Sequence, residues 1–411
     1  MSVVRPAFST GNACVSRTDN ILIVRLSAIG DVVHTLPCLH ALRCAFPRAR
    51  IGWLVEELSA PLLEGHPEID DLFVIPKWRW RRHPVRTLVS GEKSAFYRRL
   101  RQTKWDVAVD FQGLTKSGWA TWRSGAPVRI GFGGEDGREI NKWFTNRRVW
   151  PAPEAHHVIQ RNMALLEPLG IDSASVEVSW RFPDLSQERT ALQPFLRSLP
   201  HGGKAPAIVL NPGAGWETKR WPPRHFASLA RLIAERATRN PMLDRPMILV
   251  WGPDEEPLCR DILSAAGLPP GRLVLAPSTN LRELAVLLEA AAAVVGGDTG
   301  PVHLAAALGA PVLGIYGASD PVRNGPWGEG HKVIACDAVP CAPCWRTRCN
   351  RAESLECLAA LSPDRVADAV CDVLMHGAER QYGDDVGGTP TQAGGTPTQA
   401  GGAPVRARRP K

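Results

Sequence analysis

The chain has 411 residues, enough for two domains of ordinary size, each with its own hydrophobic core. No uninterrupted apolar run approaches the roughly 20 residues that a membrane-spanning helix needs, and the first residues lack the apolar segment of a secretory signal. The formal net charge of +8 favours polyanionic partners such as phospholipid surfaces, phosphorylated glycans or nucleic acid. We therefore expect a cytoplasmic protein.

In the first half of the chain, short apolar runs alternate with amphipathic patterns. The predicted strands cover residues 21–26, 50–57, 72–76, 106–111 and 128–132. The predicted helices cover residues 31–46, 116–124 and 156–169. A basic interruption separates the third strand from the fourth. This alternation is typical of a parallel sheet that is covered on both faces, and we assign residues 20–175 to a first α/β domain.

A second series of the same kind follows a Ser- and Pro-rich segment, 176–205, which we interpret as interdomain. The predicted strands cover residues 207–210, 246–251, 272–275 and two runs within 294–317. The predicted helices cover residues 225–237, 258–266, 281–291 and 363–376, with a short helix that begins near Pro301. We assign residues 206–376 to a second α/β domain.

Both ends of the chain are predicted to be disordered tails. Residues 1–19 mix Arg, Pro, Ser, Thr and Gly. Residues 377–411 contain a repeated Gly-Gly-Thr-Pro-Thr-Gln-Ala unit and end in a basic run. Neither composition can bury a core, so neither end is expected to fold.

Four cysteines near the C-terminus have a spacing that deserves comparison with metal sites. Cys341 and Cys344 are separated by two residues, and Cys349 and Cys357 follow. Two such pairs can close a tetrahedral zinc shell, although the second pair is more widely spaced than in zinc ribbons. Free thiols in a reducing compartment are the alternative. We assign no metal ligands.

The most informative segment is 294–317, which is predicted to be a buried strand, a tight turn, a short helix and a second buried strand. The turn exposes the amides of Thr299 and Gly300 at the positive end of the helix, where a diphosphate binds favourably. Asp298 beside them supplies an acceptor for a sugar hydroxyl. The segment therefore predicts a site for a nucleotide-activated sugar.

The first predicted strand leads into a second candidate site. The sequence Ser-Ala-Ile-Gly-Asp at 27–31 is not G-x-G-x-x-G, so the main support for a dehydrogenase is absent. Asp31 lies at the start of a helix, where aspartate most often caps the helix. The alternative is a general base at the carboxyl edge of the sheet, where ligands bind in open α/β folds.

These segments resemble the glycosyltransferase family of ADP-heptose:lipopolysaccharide heptosyltransferases. The resemblance rests on residues 26–37 and 296–303 and covers about residues 21–376. Four further motifs occur in order: DFQGLTKS at 110–117, NPGAG at 211–215, KRWP at 219–222 and WGPDEE at 251–256. Each motif alone is weak, but the set at these spacings is specific.

The resemblance implies an α/β GT-B fold, in which two Rossmann-like doubly wound parallel-sheet domains face each other across a cleft. It implies that the N-terminal domain binds the acceptor and the C-terminal domain the donor. The implied reaction is an inverting transfer of L-glycero-D-manno-heptose from ADP-heptose to the Kdo-lipid A inner core of lipopolysaccharide. No cofactor is expected to be required, and a divalent ion is not predicted.

Two alternatives remain open at this point. The Gly-Leu-Thr-Lys-Ser motif and the basic insert favour the enzyme type that adds the first heptose, heptosyltransferase I. The cysteine-rich segment is more typical of heptosyltransferase II and related enzymes that extend the core. An alternative of another class is a non-catalytic module on the same fold that binds a sugar nucleotide or nucleic acid.

The resemblance also implies roles for particular residues. Asp31 matches the catalytic base. Several residues match positions that bind the donor, namely Lys219, Asp298, Thr299, Gly300, His303 and Glu255. A histidine that merely packs is the alternative for His303. For the carboxylate that binds the adenosine ribose, Glu256 is the alternative to Glu255, and Arg220 either assists Lys219 or faces solvent.

The acceptor side is predicted from charge. Residues 77–104 carry ten Lys and Arg side chains but one carboxylate, Glu92, with Trp78, Trp80 and Tyr97 among them. This one-sided charge favours binding of Kdo carboxylates and lipid A phosphates, peripherally at the inner membrane. Nucleic acid would suit the same composition, but the donor motifs favour a glycan. The residues expected on the acceptor side are Arg81, Arg82, Gln112, Lys116, Arg123 and Arg138.

Overall fold

The computed structural model describes residues 18–203, 205–336, 339–351 and 354–384. The predicted disorder of residues 1–17 and 385–411 lies outside these described residues. The N-terminal strands are β1 (Asn20–Val24), β2 (Arg50–Glu56), β3 (Asp71–Ile75), β4 (Val107–Asp110), β5 (Val128–Phe132) and β6 (Arg147–Val149). They form one parallel sheet in the order β3-β2-β1-β4-β5-β6.

A second parallel sheet repeats this topology. Its strands are β7 (Ile208–Asn211), β8 (Met247–Leu249), β9 (Leu273–Leu275), β10 (Ala293–Gly297), β11 (Val312–Tyr316) and β12 (Lys332–Ala335). Their order is β12-β11-β10-β7-β8-β9. The order reverses beside the first strand of each sheet, which defines the doubly wound topology. The predicted α/β fold with two Rossmann-like domains is confirmed.

Helices cover both faces of each sheet. In the N-terminal half they are α1 (Ile29–Val33), α2 (Leu36–Ala45), α3 (Lys77–Arg82), α4 (Pro84–Val89), α5 (Glu92–Gln102), α6 (Thr115–Arg123) and α7 (Val158–Ala164). In the C-terminal half they are α8 (Ser186–Ser198), α9 (Pro223–Arg236), α10 (Glu256–Ala266), α11 (Leu281–Glu289), α12 (Gly300–Ala307), α13 (Pro321–Asn324), α14 (Glu356–Ala359) and α15 (Pro363–Asp384). Because aliphatic side chains fill both faces of the strands, each sheet lies between two apolar layers.

The helix predicted at 31–46 is two helices. Pro37 has no N–H to continue the hydrogen bonding of α1, so the chain turns at Thr35 and restarts as α2. α1 begins at Ile29, which places Asp31 inside the first turn instead of before it. The helix predicted at 156–169 is also shorter, because α7 ends at Ala164.

The basic interruption between β3 and β4 is helical, which the sequence analysis did not predict. It contains α3, α4 and α5, and Gly91 adopts a left-handed backbone (φ 66°) where α5 begins. Trp80, Tyr97 and Leu100 are buried against the sheet. The edge strands β6 and β12 were also not predicted. No described helix combines the length and apolarity that crossing a bilayer requires.

The segment expected to be interdomain belongs partly to the C-terminal domain. It contains α8, whose Leu192 packs in that domain's core. The extended chain before α8 contacts the N-terminal domain, since the Trp180 indole donates a hydrogen bond to the Val33 carbonyl (3.1 Å). The last helix, α15, continues to Asp384, eight residues beyond the predicted end of the fold.

Candidate active site

The carboxyl ends of the two sheets face each other across a cavity of about 2330 Å³. Loops after β1, β4 and β5 line the N-terminal wall, and loops after β7, β8, β10 and β11 line the C-terminal wall. Ligands bind at this edge of open parallel sheets. The volume exceeds the roughly 300–1,000 Å³ of a pocket for one small molecule, so the cleft has room for two substrates.

Asp31 lies on the N-terminal wall and is held by a buried arginine. Its Oδ1 lies 2.6 Å from Nη2 of Arg25, and its Oδ2 accepts a hydrogen bond from the Ala28 amide (3.1 Å). Arg25 also donates a hydrogen bond to the Phe111 carbonyl. The Arg25 side chain is 7% exposed, whereas that of Asp31 is 39% exposed. The buried Arg25 therefore orients the Asp31 carboxylate from the protein interior, while the other side of the carboxylate stays open to the cleft.

Lys219, Asp298 and His303 form a cluster on the opposite wall. Nζ of Lys219 lies 2.6 Å from Oδ2 of Asp298, and Nε2 of His303 lies 2.8 Å from Oδ1. Burial raises the pKa of the Asp298 carboxyl, but the hydrogen bond and charge of His303 and the charge of Lys219 outweigh burial and hold this pKa well below its usual range. Asp298 is therefore ionised at neutral pH and fixes both of its partners in place.

The turn before α12 is built as the sequence predicts. Thr299 precedes the helix, and its Oγ1 accepts a hydrogen bond from Nδ2 of Asn211 (2.9 Å). A Cβ at Gly297 would lie 2.3 Å from the Lys219 carbonyl oxygen, so only glycine allows the two loops to approach this closely. The Lys219 ammonium lies 4.5 Å from the Trp216 ring centroid. The N-terminus of α12 and the Lys219 ammonium thus lie close together on the C-terminal wall of the cleft.

Glu255 lies on the same wall, whereas Glu256 is not among the residues that line the cleft. Glu255 lines the cleft, and its Oε2 accepts a hydrogen bond from the Gly252 amide (3.0 Å), whereas Glu256 pairs with Arg260. A Cβ at Gly213 would lie 2.0 Å from Glu255 Oε2, so a larger residue there would displace the Glu255 carboxylate. Arg220 donates a hydrogen bond to the Ala214 carbonyl (2.8 Å) and approaches Glu255 at 3.9 Å.

The two walls touch at a pair of glycines. A Cβ at Gly300 would lie 2.8 Å from Cβ of Ile29, and a Cβ at Gly30 would lie 2.7 Å from Cδ2 of His303. Since these residues flank Asp31 and Asp298, α1 and the turn before α12 are in direct contact. The contact places the candidate base beside the candidate donor site.

Three buried histidines extend this contact. The ring centroids of His303 and His34 are 4.4 Å apart, and those of His34 and His157 are 5.6 Å apart. Burial, followed by the neighbouring His303 charge, holds the pKa of His34 well below its usual value, and burial lowers that of His157 to about 4. Nδ1 of His157 accepts the Ile159 amide, so its Nε2 donates to the Gly325 carbonyl at 3.0 Å, across the domain boundary.

The residues predicted to bind the acceptor are not all in one place. Gln112 and Arg138 line the cleft. Lys116 instead donates to Oε1 of Glu56 (2.8 Å) and Oγ of Ser27 (2.9 Å), and it is not among the residues that line the cavity. Arg123 lies over the rings of Tyr97 and Trp119, and Arg81 and Arg82 are exposed on α3. The structure brings none of these last three into the cleft lining.

Several residues at the site were not predicted from the sequence. Arg25 follows a run of aliphatic residues, and a charge at the end of a buried strand was the signal that could have identified it. His34 and His157 gave no such signal, because their partners come from distant parts of the chain. Arg161 and Arg323 approach Asp136 from different domains and line the cleft.

The cysteine-rich segment borders the cleft, and its thiols are free in the structure. Within the described residues, no three His, Cys, Asp or Glu side chains are grouped closely enough to hold a metal ion. Burial, with the charges of Cys341 and Cys344, raises the pKa of Cys357 to about 11, whereas hydrogen bonds from the backbone at Arg351 and Leu355 lower that of Cys349.

Comparisons with known proteins agree with this geometry. Residues 94–354 match the model of glycosyltransferase family 9 (heptosyltransferase). Lipopolysaccharide heptosyltransferase 1 of Pseudomonas aeruginosa is 31% identical over 360 residues, which cover 84% of this chain and 96% of the relative. The protein of the same name from Escherichia coli K12 is 29% identical over 315 residues, covering 76% of this chain and 92% of the relative.

A solved structure extends the similarity to the fold. The Escherichia coli heptosyltransferase WaaC with ADP-2-deoxy-2-fluoro heptose aligns with a TM-score of 0.65 and 26% identity, covering 86% of this chain and 99% of WaaC. The matched family model spans more than half of the chain, and the relative from Pseudomonas aeruginosa is aligned over nearly its whole length. The chain belongs to glycosyltransferase family 9, the heptosyltransferases, and is a glycosyltransferase with the GT-B fold.

Proposed function

We propose that this enzyme transfers L-glycero-D-manno-heptose from ADP-heptose to the Kdo-lipid A inner core of lipopolysaccharide. One observation carries the proposal: the contact of Gly30 with His303 sets Asp31 opposite the Lys219–Asp298 pair in a single cleft. The similarity to WaaC in complex with an ADP-heptose analogue supports this donor.

The C-terminal wall is suited to the leaving group. When the glycosyl bond breaks, negative charge accumulates on the β-phosphate of ADP, and preorganised positive groups stabilise that charge most effectively. Lys219 and the amides at the start of α12 are such groups, because Asp298 and Asn211 fix them before substrate arrives. Because these groups already supply positive charge at the leaving group, they support a reaction that requires no metal ion or other cofactor.

The N-terminal wall is suited to the acceptor. Asp31 takes the proton of the acceptor hydroxyl while that oxygen bonds to the anomeric carbon and the bond from this carbon to the β-phosphate oxygen breaks. Attack opposite the leaving ADP inverts the anomeric configuration. Arg25 holds the carboxylate in place, and Arg138 on the same wall offers a partner for a Kdo carboxylate.

The finer assignment is to the first-heptose type. The relatives named heptosyltransferase 1 and the Gly-Leu-Thr-Lys-Ser motif at 113–117 support it. Heptosyltransferase II or a related core-extending enzyme is the alternative, which the cysteine-rich segment favours. Since lipid A is anchored in a bilayer, we place the enzyme in the cytoplasm at the surface of the inner membrane. We assign no role in nucleic-acid binding.

Mass spectrometry of the reaction products tests this function. The purified protein is incubated with Kdo2-lipid A and, in parallel, ADP-heptose, ADP-glucose or UDP-N-acetylglucosamine, with and without EDTA. We expect one added heptose with ADP-heptose alone, and the same yield when EDTA is present. Product formed only on an acceptor that already carries the first heptose would support the core-extending alternative. ADP-heptose binding without any product would support the non-catalytic module.

A further inference from the structure

One surface of the N-terminal domain combines exposed aromatic and basic side chains. Helices α3 to α6 cover the sheet face on which Trp80, Tyr97 and Ala120 are buried, while α2 and α7 cover the other face. We call the outer surface of α3–α6, with the adjoining single helical turn at Asn141–Trp143, the aromatic–basic face. Its exposed apolar side chains are Trp78, Val85, Val89, Trp119, Trp122 and Trp143.

Ring contacts make this face continuous. Trp80 packs edge-on against Phe96 (centroids 5.5 Å apart), Phe96 against Tyr97 (5.3 Å) and Tyr97 against Trp119 (4.9 Å). These contacts join α3, α5 and α6 side by side. Nδ2 of Asn141 donates a hydrogen bond to the carbonyl at the start of α6 (2.8 Å), which sets Trp143 beside that helix. The helices that carry the exposed indoles therefore pack into one continuous layer.

The exposure is one-sided. Trp143 is 76% exposed, Trp78 59% and Trp122 46%. All exposed tryptophans among the described residues lie in the N-terminal domain, whereas the exposed large apolar residues of the described C-terminal domain are Val322 and Met375. Exposed apolar residues that have no function are usually scattered singly over a surface. A cluster of exposed indoles on one domain therefore indicates an interaction surface.

The charge of the face selects an anionic partner. Its exposed basic side chains include Arg81, Arg82, Arg86, Lys93, Arg98 and Lys104. Glu92, the one carboxylate between residues 77 and 104, already pairs with Arg79. In the part of the chain that the structure describes, no ion pair joins a carboxylate to Arg81, Arg82 or Arg86. The positive charge is thus available to a ligand.

We propose that the aromatic–basic face docks the enzyme on a bilayer that contains anionic phospholipid. Indoles are most favourable at the level of lipid headgroups, and basic side chains beside them are attracted to the negative surface potential. The partner is the headgroup layer and not the acceptor molecule, since Trp78, Trp122 and Trp143 lie outside the cleft lining. The inference rests on the proposed function only in that a membrane-anchored acceptor makes such docking useful.

Vesicle sedimentation of the full-length protein tests the proposal. We expect binding to vesicles of phosphatidylethanolamine and phosphatidylglycerol, and little binding to phosphatidylcholine alone. The double variant Arg86→Glu/Arg98→Glu should bind at least about tenfold more weakly. The triple variant Trp78→Ser/Trp122→Ser/Trp143→Ser should lose the binding that wild type retains in about 0.5 M salt, where charge is screened. The matched control, Arg197→Glu/Arg239→Glu on the C-terminal domain, should bind as wild type does.

Transfer to acceptor dispersed in detergent separates this inference from the proposed function. Folded variants that bind vesicles poorly should keep their transfer rate in detergent. Vesicle binding by an enzyme that transfers no heptose would contradict the proposed function and leave docking standing. Docking would be refuted if wild type ignored phosphatidylglycerol vesicles, if the variants sedimented as wild type does, or if RNA bound more tightly than vesicles.

Discussion

Lys219 and Asp298 form an ion pair whose importance lies in geometry more than in stability. A buried pair gains little net free energy because both charges lose hydration, but here it fixes a cation on the cleft wall. The variant Lys219→Met should lower kcat/KM for ADP-heptose about 100-fold, because a preorganised charge at the leaving group is lost. Initial rates over a range of ADP-heptose concentrations measure this effect.

Lys332 offers a matched control for that substitution. It is an exposed lysine of the same domain that pairs with Asp372 at the surface. Exposed ion pairs contribute roughly 0–1 kcal/mol, so Lys332→Met should leave both rate and stability nearly unchanged. Equal losses in the two variants would mean that Lys219 has no special role.

Arg25 should act as a positioning residue for Asp31. Its guanidinium lies 2.6 Å from the carboxylate and is almost fully buried. Arg25→Gln should lower kcat by a part of the roughly 10²–10⁴-fold that a positioned base supplies, while the affinity for ADP stays unchanged because the donor wall belongs to the other domain. Arg25→Lys, which keeps the charge, should recover part of the rate. A variant with weaker ADP binding and normal kcat would contradict this role.

At the scale of single residues, the sequence identified groups whose chemistry is local. Asp298 and Thr299 follow β10 directly and Asp31 lies in the first helix after β1, so their place at the carboxyl edge could be predicted. The sequence did not reveal that Asp298 is paired with two side chains, since Lys219 reaches Asp298 from a loop almost 80 residues earlier. Partnerships of that kind arise only from the folded sheet.

At the scale of elements, the contact of α1 with α12 sets the width of the site. Gly30→Ala would place a methyl group 2.7 Å from a His303 ring that is held by Asp298. Alanine improves helix propensity by about 1 kcal/mol, but overpacking costs about 1–3 kcal/mol, so the helices should move apart. A displacement near 1 Å lowers rates about 100-fold. We expect that loss in kcat with unchanged ADP affinity by calorimetry; an unchanged kcat would contradict the contact.

The histidine contact predicts a pH-dependent stability. The pKa of His157 is about 4 in the folded protein, compared with 6.5 for an unperturbed histidine in the unfolded chain. Below pH 6.5 the unfolded chain therefore binds a proton at His157 that the native state does not bind. The free energy of unfolding consequently decreases as the pH falls. The loss amounts to about 3 kcal/mol by pH 4. Urea unfolding at pH 7 and about pH 5 should show a steeper fall for wild type than for His157→Gln.

His156 provides the control for this measurement, because it is an exposed imidazole beside His157. His156→Gln should follow the wild-type pH dependence. If His157→Gln lost stability on acidification as steeply as wild type, the buried neutral imidazole would not be the cause. His34, whose pKa is also lowered by burial, should add a loss of the same sign in both proteins.

Elements differ in how well the sequence predicted them. β1, β7 and β10 are continuous aliphatic runs buried on both faces, so their pattern was unmistakable. The helices α3–α5 were missed because their basic residues obscure a few buried aromatic side chains. α8 was missed because the surrounding Ser and Pro residues suggested a linker, and the edge strand β6 is only three residues long.

At the scale of the whole molecule, the proposed mechanism divides the chemistry between two domains. The N-terminal domain supplies Asp31 and its arginine, and the C-terminal domain supplies the cationic donor wall. The fold class could be predicted because two βα series and the family motifs agree. The distribution of basic residues could not, since Arg81 and Arg82 lie on an outer helix that only the packing of α3 on the sheet defines.

In the proposed mechanism, Asp31 takes the proton of the acceptor hydroxyl and faces, across the cleft, a sugar donor that is bound by the other domain. The most direct test is Asp31→Asn, assayed for heptose transfer by mass spectrometry and for ADP affinity by calorimetry. The amide keeps the shape of the side chain but takes no proton, so transfer should fall about 10²–10⁴-fold while ADP affinity is unchanged. Wild-type transfer by the variant, or an equal loss of ADP affinity, would contradict the account.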